Sequence, residues 1–189
     1  LLLPDGLEHL RVAMGLPVSV RDVDFEVILD TAEFTNFDSI LELEGGGTVY
    51  IEAKLTESEF GTAKKNCERE RKRTGTYVPR LLGKVPALML EEPAFYAHYQ
   101  LLRNLSYLST ATDHLVLLIP RASKDLVSQA ESFLSCIEAP WRDQVSLVFI
   151  EHLIQDLAQL TDGKCRLHYL ECQRKYILNR PGNRGGPLG

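Results

Sequence analysis

The sequence predicts an α/β fold, a mixed central β-sheet with flanking helices, on three observations. Two alternating runs, 35–44 and 48–55, are joined by Gly45, Gly46 and Gly47, and a Gly-rich link between alternating runs signals a hairpin. Two uninterrupted apolar runs, "DHLVLLIP" at 113–120 and "QVSLVFI" at 144–150, have the pattern of strands covered on both faces. Stretches of helical periodicity precede, separate and follow these runs, and that order places helices on both sides of a sheet.

Each element has its own justification. "GLEHLRVAM", 6–14, is permissive for a short helix, and "VDFEVILD", 23–30, reads as a strand. In "TNFDSILELE" alternation sets Phe37, Ser39, Leu41 and Leu43 on one face and Asp38, Ile40, Glu42 and Glu44 on the other. In the next run Val49, Ile51, Ala53 and Leu55 share an apolar face, while Glu52 and Lys54 project together beside Tyr50. Residues 62–73 are charged and helix-permissive, and 74–86 read as a loop. A helix is expected from Pro93 through "AFYAHYQLLRNLSYLST". "KDLVSQAESFLSCI" carries a helical stripe of Leu126, Ala130, Phe133, Leu134 and Ile137, and "EHLIQDLAQL" makes a helix after the last strand. Residues 1–178 are expected to form a single domain, and the Gly- and Pro-rich 179–189 a flexible C-terminal tail.

The 189 residues suffice for one sizeable core, and 44% hydrophobic with 25% charged residues is ordinary for a globular chain. A net charge of -5 excludes a generic polyanion binder, so any nucleic-acid contact needs a local basic patch. No apolar run approaches the ~20 residues of a membrane span, so no membrane association is expected. The opening "LLLPDGLEHL" lacks the regions of a signal peptide, and the absence of an initiating Met leaves a trimmed N-terminus open. Four scattered cysteines without a C-x-x-C pair favour reduced thiols and a cytoplasmic location. Cys165, His168 and Cys172, with His152 upstream, are metal-capable, but their spacing is also that of a packed helix stripe. Phosphate-loop and nucleophile-elbow motifs are absent, and the glycine triplet joins strand to strand without a helix N-terminus for an anion.

Glu52 and Lys54 are either a solvated pair or half of an active site. A hairpin symmetric about Gly46 sets Asp38 opposite Lys54 and Ile40 opposite Glu52, which makes Asp38 and Glu52 diagonal neighbours within roughly 7–8 Å. Two such carboxylates suit Mg²⁺, with Mn²⁺ as an alternative, and the carbonyl of Ala53 offers a further oxygen. Lys54 then stands where it orients or deprotonates an attacking water, or offsets charge on a phosphorane.

Asp38, thirteen intervening residues and Glu52-Ala53-Lys54 together resemble the signature of the PD-(D/E)XK nuclease superfamily. "TVYIEAKLTESEFG" and "YQLLRNL" further resemble a bacterial restriction-endonuclease-like group in which Thr-Glu and Phe-Gly follow the lysine. The resemblance spans roughly residues 23–150 and implies a restriction-endonuclease-like core, with Asp38 and Glu52 as metal ligands, Lys54 catalytic and Gln100 facing the site from a helix. Phe37 stands where the pattern often has Pro, and the leading helix is short, with Asp30 or Glu33 as substitutes for its acid.

Lys64, Lys65, Arg69, Arg71, Lys72 and Arg73 follow the site strand, and Arg103 and Tyr107 share a helix face with Gln100. These cations either grip a DNA backbone or, with Glu68 and Glu70 interleaved, form a solvated face. The expected function is Mg²⁺-dependent hydrolysis of DNA phosphodiesters, with a homodimer left open. The alternatives are a catalytically inactive nucleic-acid-binding or regulatory module on the same fold, or a protein-interaction domain.

Overall fold

The computed structural model describes residues 4–30 and 35–174, so the expected tail and the alternative acid Glu33 lie outside the described residues. Five strands, β1 (Val20–Asp30), β2 (Thr35–Leu43), β3 (Thr48–Ala53), β4 (His114–Ile119) and β5 (Val145–Phe149), form one sheet in the order β1-β2-β3-β4-β5. The first three are antiparallel, and β3, β4 and β5 are parallel. The expected α/β architecture with a mixed sheet is therefore present.

Helices cover both faces because β3 and β4 are apolar on both. On one face Tyr50, Leu115, Leu117 and Ile119 pack under the helices between Cys67 and Ser135; on the other Val49, Ile51 and Val116 meet α1 (Pro4–Ala13) and α8 (Ile150–Leu160). The first cover comprises α2 (Cys67–Lys72), α3 (Val78–Leu81), α4 (Ala87–Leu90), α5 (Ala94–Ala97), α6 (Tyr99–Leu105) and α7 (Lys124–Ser135). The stripe expected on α7 is buried throughout. Against α8 lies a further helix, α9 (Gly163–Cys172). Its buried residue is Tyr169; Cys165 and His168 are exposed, so they form no packed stripe. Among the described residues no helix is long and apolar enough to cross a membrane.

Several expectations are corrected. The hairpin closes around Gly45 and not Gly46: Leu43 N–H donates to Gly47 O at 3.1 Å, and Ser39 faces Ile51. The β2–β3 ladder ends at that pair, and Asp38 does not stand opposite Lys54. Phe37 does not share a face with Leu41 and Leu43. It packs in the opposite layer, with ring centres 5.0 Å from Tyr50 and 5.4 Å from Tyr107. Both β1 and β2 change face at one point. Phe25 pairs with Ser39 and Val27 with Phe37, the ladder skips Glu26 and Asp38, and Glu26 takes a left-handed φ of 52°. A local distortion of this kind re-aims a side chain.

The charged segment begins its helix only at Cys67, where the Asn66 side chain accepts the Arg69 N–H at 2.8 Å. Residues 74–86, expected as a loop, contain a π-helical turn at Arg73–Tyr77 followed by α3, because Tyr77 and Leu81 are buried. Tertiary packing outweighs the weak helical preference of Thr74, Gly75 and Thr76. The helix expected after Pro93 breaks at His98. The segment 61–63 intercepts its ladder: Gln100 N–H donates to Gly61 O, while Tyr96 O accepts the Ala63 N–H.

Gly47 is required at its position. Its φ is +100°, and an added Cβ would stand 2.4 Å from the Thr112 carbonyl oxygen. Gly47→Ala is expected to destabilise the protein by about 1–3 kcal/mol in denaturant melts, more than Gly46→Ala, whose Cβ would meet open space.

Lys84 is 5% exposed and donates from Nζ to the Leu108 carbonyl, with its ammonium 4.4 Å from the centre of the Trp141 ring. Burial pushes this ammonium down from 10.5 to about 8, against the opposing pull of Asp113. Between those values the unfolded chain binds more protons than the native one, so this residue's contribution to stability rises with pH. The stability difference between wild type and Lys84→Met is expected to move in favour of wild type from pH 8 to 10.5, by up to about 3 kcal/mol.

Candidate active site

The site forms where β3 runs out. Lys54 lies one residue past the strand, and its backbone N–H still donates to Leu118 O of β4 at 2.9 Å. Glu52 and Lys54 remain a pair, but not a solvated one. Glu52 is 3% exposed, and the Lys54 Nζ stands 2.9 Å from its Oε1. A carboxylate is buried at this depth only when its oxygens are satisfied, and α6 supplies the donors. Gln100 Nε2 donates to Oε1 at 2.6 Å, and Asn104 Nδ2 donates to Oε2 at 2.9 Å. Gln100 is itself oriented, since its Oε1 accepts the Gly61 N–H at 2.9 Å. The interrupted helix ladder and the Glu52 contact thus share one residue.

Asp38 arrives differently. The distortion of β2 leaves it exposed, and its Oδ2 accepts the Ala53 N–H at 2.7 Å. This carboxylate takes the place of a β2 carbonyl in the ladder, one peptide from Glu52. It also reaches the wall of an apolar cavity of about 330 Å³ between the sheet and α1, α8 and α9. Glu52, by contrast, is held on the α6 side, so the expectation that the two carboxylates share one face of the sheet is corrected: they approach the Ala53 peptide from opposite sides. In an extended residue N–H and C=O leave on the same edge, so the Ala53 carbonyl is directed toward β2 as well.

Glu57 completes the surroundings. Its Oε2 accepts the backbone N–H groups of Leu55 and Thr56, each at 3.0 Å, and its Oε1 lies 3.9 Å from Lys54 Nζ. Those backbone bonds, that of Thr56 foremost, hold the carboxyl below its ordinary range, with Lys54 adding to the effect.

The donor set suits a hard cation. A carboxylate offers about four acceptor positions; Glu52 uses three of them and Asp38 one. With the Ala53 carbonyl, the open positions are all oxygens, the ligand type of Mg²⁺ and Mn²⁺. Among the described residues no group of three or more His, Cys, Asp and Glu side chains is arranged to hold a metal, so such a site would rest on two carboxylates and a carbonyl.

The basic segment divides. Lys64 and Arg71 are exposed, without a side-chain ion pair among the described residues. Lys65 pairs with Glu92 at 2.6 Å, and the Arg69 guanidinium donates to Lys64 O at 2.8 Å. Lys72 is 9% exposed beside Glu68 at 3.3 Å. Arg73 is gripped by Glu70 and donates to Leu90 O at 2.7 Å. Arg103 is half-buried near the Tyr99 ring, with its Nε hydrogen unpartnered among the described residues.

The sequence reading gave no role to two residues of the site. Asn104 is four positions after Gln100, so a second amide on that helix face was the available signal. Glu57 belongs to the Thr-Glu that follows the lysine in the resembling group, but no role was attached to it.

No curated protein and no solved structure matches the chain. One family model does, REase-ARP, described as Restriction Endonuclease associating with ARP, over residues 4–177. With that match running through the whole sheet and its helical covers, the chain belongs to the REase-ARP family, a restriction-endonuclease-like group.

Proposed function

We propose that the protein is a PD-(D/E)XK-type nuclease that hydrolyses DNA phosphodiesters with Mg²⁺ or Mn²⁺. The observation that carries this reading is Glu52, buried at a strand end and held by Gln100, Asn104 and Lys54. A charged cluster kept out of water where strands terminate is a candidate for chemistry. Asp38, Glu52 and the Ala53 carbonyl would hold the cation. When bound, the cation supplies an activated water and offsets charge on the scissile phosphate. Gln100 and Asn104 fix the Glu52 carboxylate in advance, so little reorganisation is left for the reaction. Lys54 orients the attacking water and donates to the oxygens on which negative charge grows.

Within the segment 64–73, Lys64 and Arg71 are exposed without a side-chain ion pair among the described residues, which leaves them to meet a DNA backbone. Every cation that neutralises one phosphate adds about 0.9 to the slope of log affinity against log salt. Lys64→Ser with Arg71→Ser is expected to flatten that plot by about 2, whereas Lys72→Ser leaves the slope unchanged.

The direct test is conversion of supercoiled plasmid to nicked or linear DNA, with Mg²⁺ or Mn²⁺ and with chelator. Cation-dependent cleavage is the expected outcome. DNA retention without cleavage in either cation would overturn the hydrolase reading in favour of a binding module.

A further inference from the structure

A second concavity, about 690 Å³, opens beside the C-terminal end of α6. Arg80, Lys84, Tyr107 and Trp141 contribute to its walls; Asp38, Glu52, Lys54 and Gln100 do not. Neither of its two cations has an anionic side chain in direct contact among the described residues. Lys84 and Arg80 form no ion pair among the described residues. Asp113, which acts on Lys84 electrostatically, has its carboxylate taken by Thr48, Ser109 and Thr110. Lys84 uses one donor on Leu108 O, which leaves two. The Tyr107 hydroxyl is buried with no hydrogen-bond partner among the described residues, and the Arg80 guanidinium lies 5.8 Å from the centre of the same ring. Burying an ammonium and a phenol with open donors is unfavourable unless something accepts from them.

A ligand that answers these features carries several anionic oxygens for Lys84, Arg80 and the Tyr107 hydroxyl, which a phosphate does. It also carries a flat apolar portion for the aromatic walls, and the volume is that of a small-ligand site. We propose that this pocket binds a free nucleoside monophosphate, its phosphate between Lys84 and Arg80 and its base against Trp141.

Trp141 is the only tryptophan in the chain, so its emission reports on the pocket. The full chain is titrated with adenosine 5′-monophosphate in chelator, where a cation-dependent site is silent, and binding is read by tryptophan emission and calorimetry. Saturable binding is expected, with adenosine alone and inorganic phosphate alone each at least roughly tenfold weaker. Arg80→Gln and Lys84→Met are each expected to weaken binding by roughly tenfold or more. Arg80 is exposed, so its variant decides the matter even if Lys84→Met does not fold. No saturable binding at millimolar nucleotide, phosphate binding as tightly as the nucleotide, or unchanged binding by Arg80→Gln would each overturn the proposal. So would capture of a 5′-phosphorylated oligonucleotide without capture of the mononucleotide. Failure here leaves the plasmid-cleavage test untouched.

Discussion

Glu52→Gln and Lys54→Met are each expected to lower cation-dependent plasmid cleavage by a factor on the order of 10³. Stability separates this from the loss of a structural ion pair. Lys54→Met leaves the Glu52 carboxylate, 3% exposed, without its cation. Removing one partner of a buried pair costs about 3–5 kcal/mol. The double variant Glu52→Gln with Lys54→Met removes both charges and is expected to regain most of that loss while its cleavage stays abolished. Gln100→Leu and Asn104→Leu, which act through Glu52, are expected to cost about 10–100-fold in cleavage or metal affinity. The checks are initial nicking rates across cation concentration, together with denaturant melts. Recovery of cleavage along with stability in the double variant would mean that the pair serves folding alone.

Phe37→Ala should be among the most destabilising single changes, at about 3–5 kcal/mol. Phe37 is 0% exposed and closes an aromatic cluster with Tyr50 and Tyr107. A double-mutant cycle between Phe37→Ala and Tyr107→Ala is expected to show coupling of about 0.5–1.5 kcal/mol, and Phe37→Ala with Leu41→Ala none. Phe25→Ala, at a residue 68% exposed, should fall within about 0.5 kcal/mol of wild type. Phe37 also adjoins the point where β2 changes face, so its loss is expected to slow cleavage through Asp38. Coupling to Leu41 in place of Tyr107 would return Phe37 to the face that simple alternation gives it.

The apolar runs of β4 and β5, the glycine hairpin and the stripe of α7 were enough to name a mixed sheet between helices, because burial on one or two faces imposes a period that residue order displays. The same order put Glu52 and Lys54 side by side, since residues two apart on a strand must share a face. Order alone could not distinguish Gly45 from Gly46 as the centre of the turn. That choice depends on the closure between Leu43 and Gly47 and on the space Thr112 leaves beside Gly47. Nor could it foresee the change of face at Glu26 and Asp38, which turns the Asp38 carboxylate onto the Ala53 N–H. Asn104 reached Glu52 by the same route: its partner lies fifty-two residues away along the chain, joined to it only when α6 docks on the sheet. Periodicity is local and survives in sequence, whereas the meeting of donors and acceptors from separate elements exists only after packing.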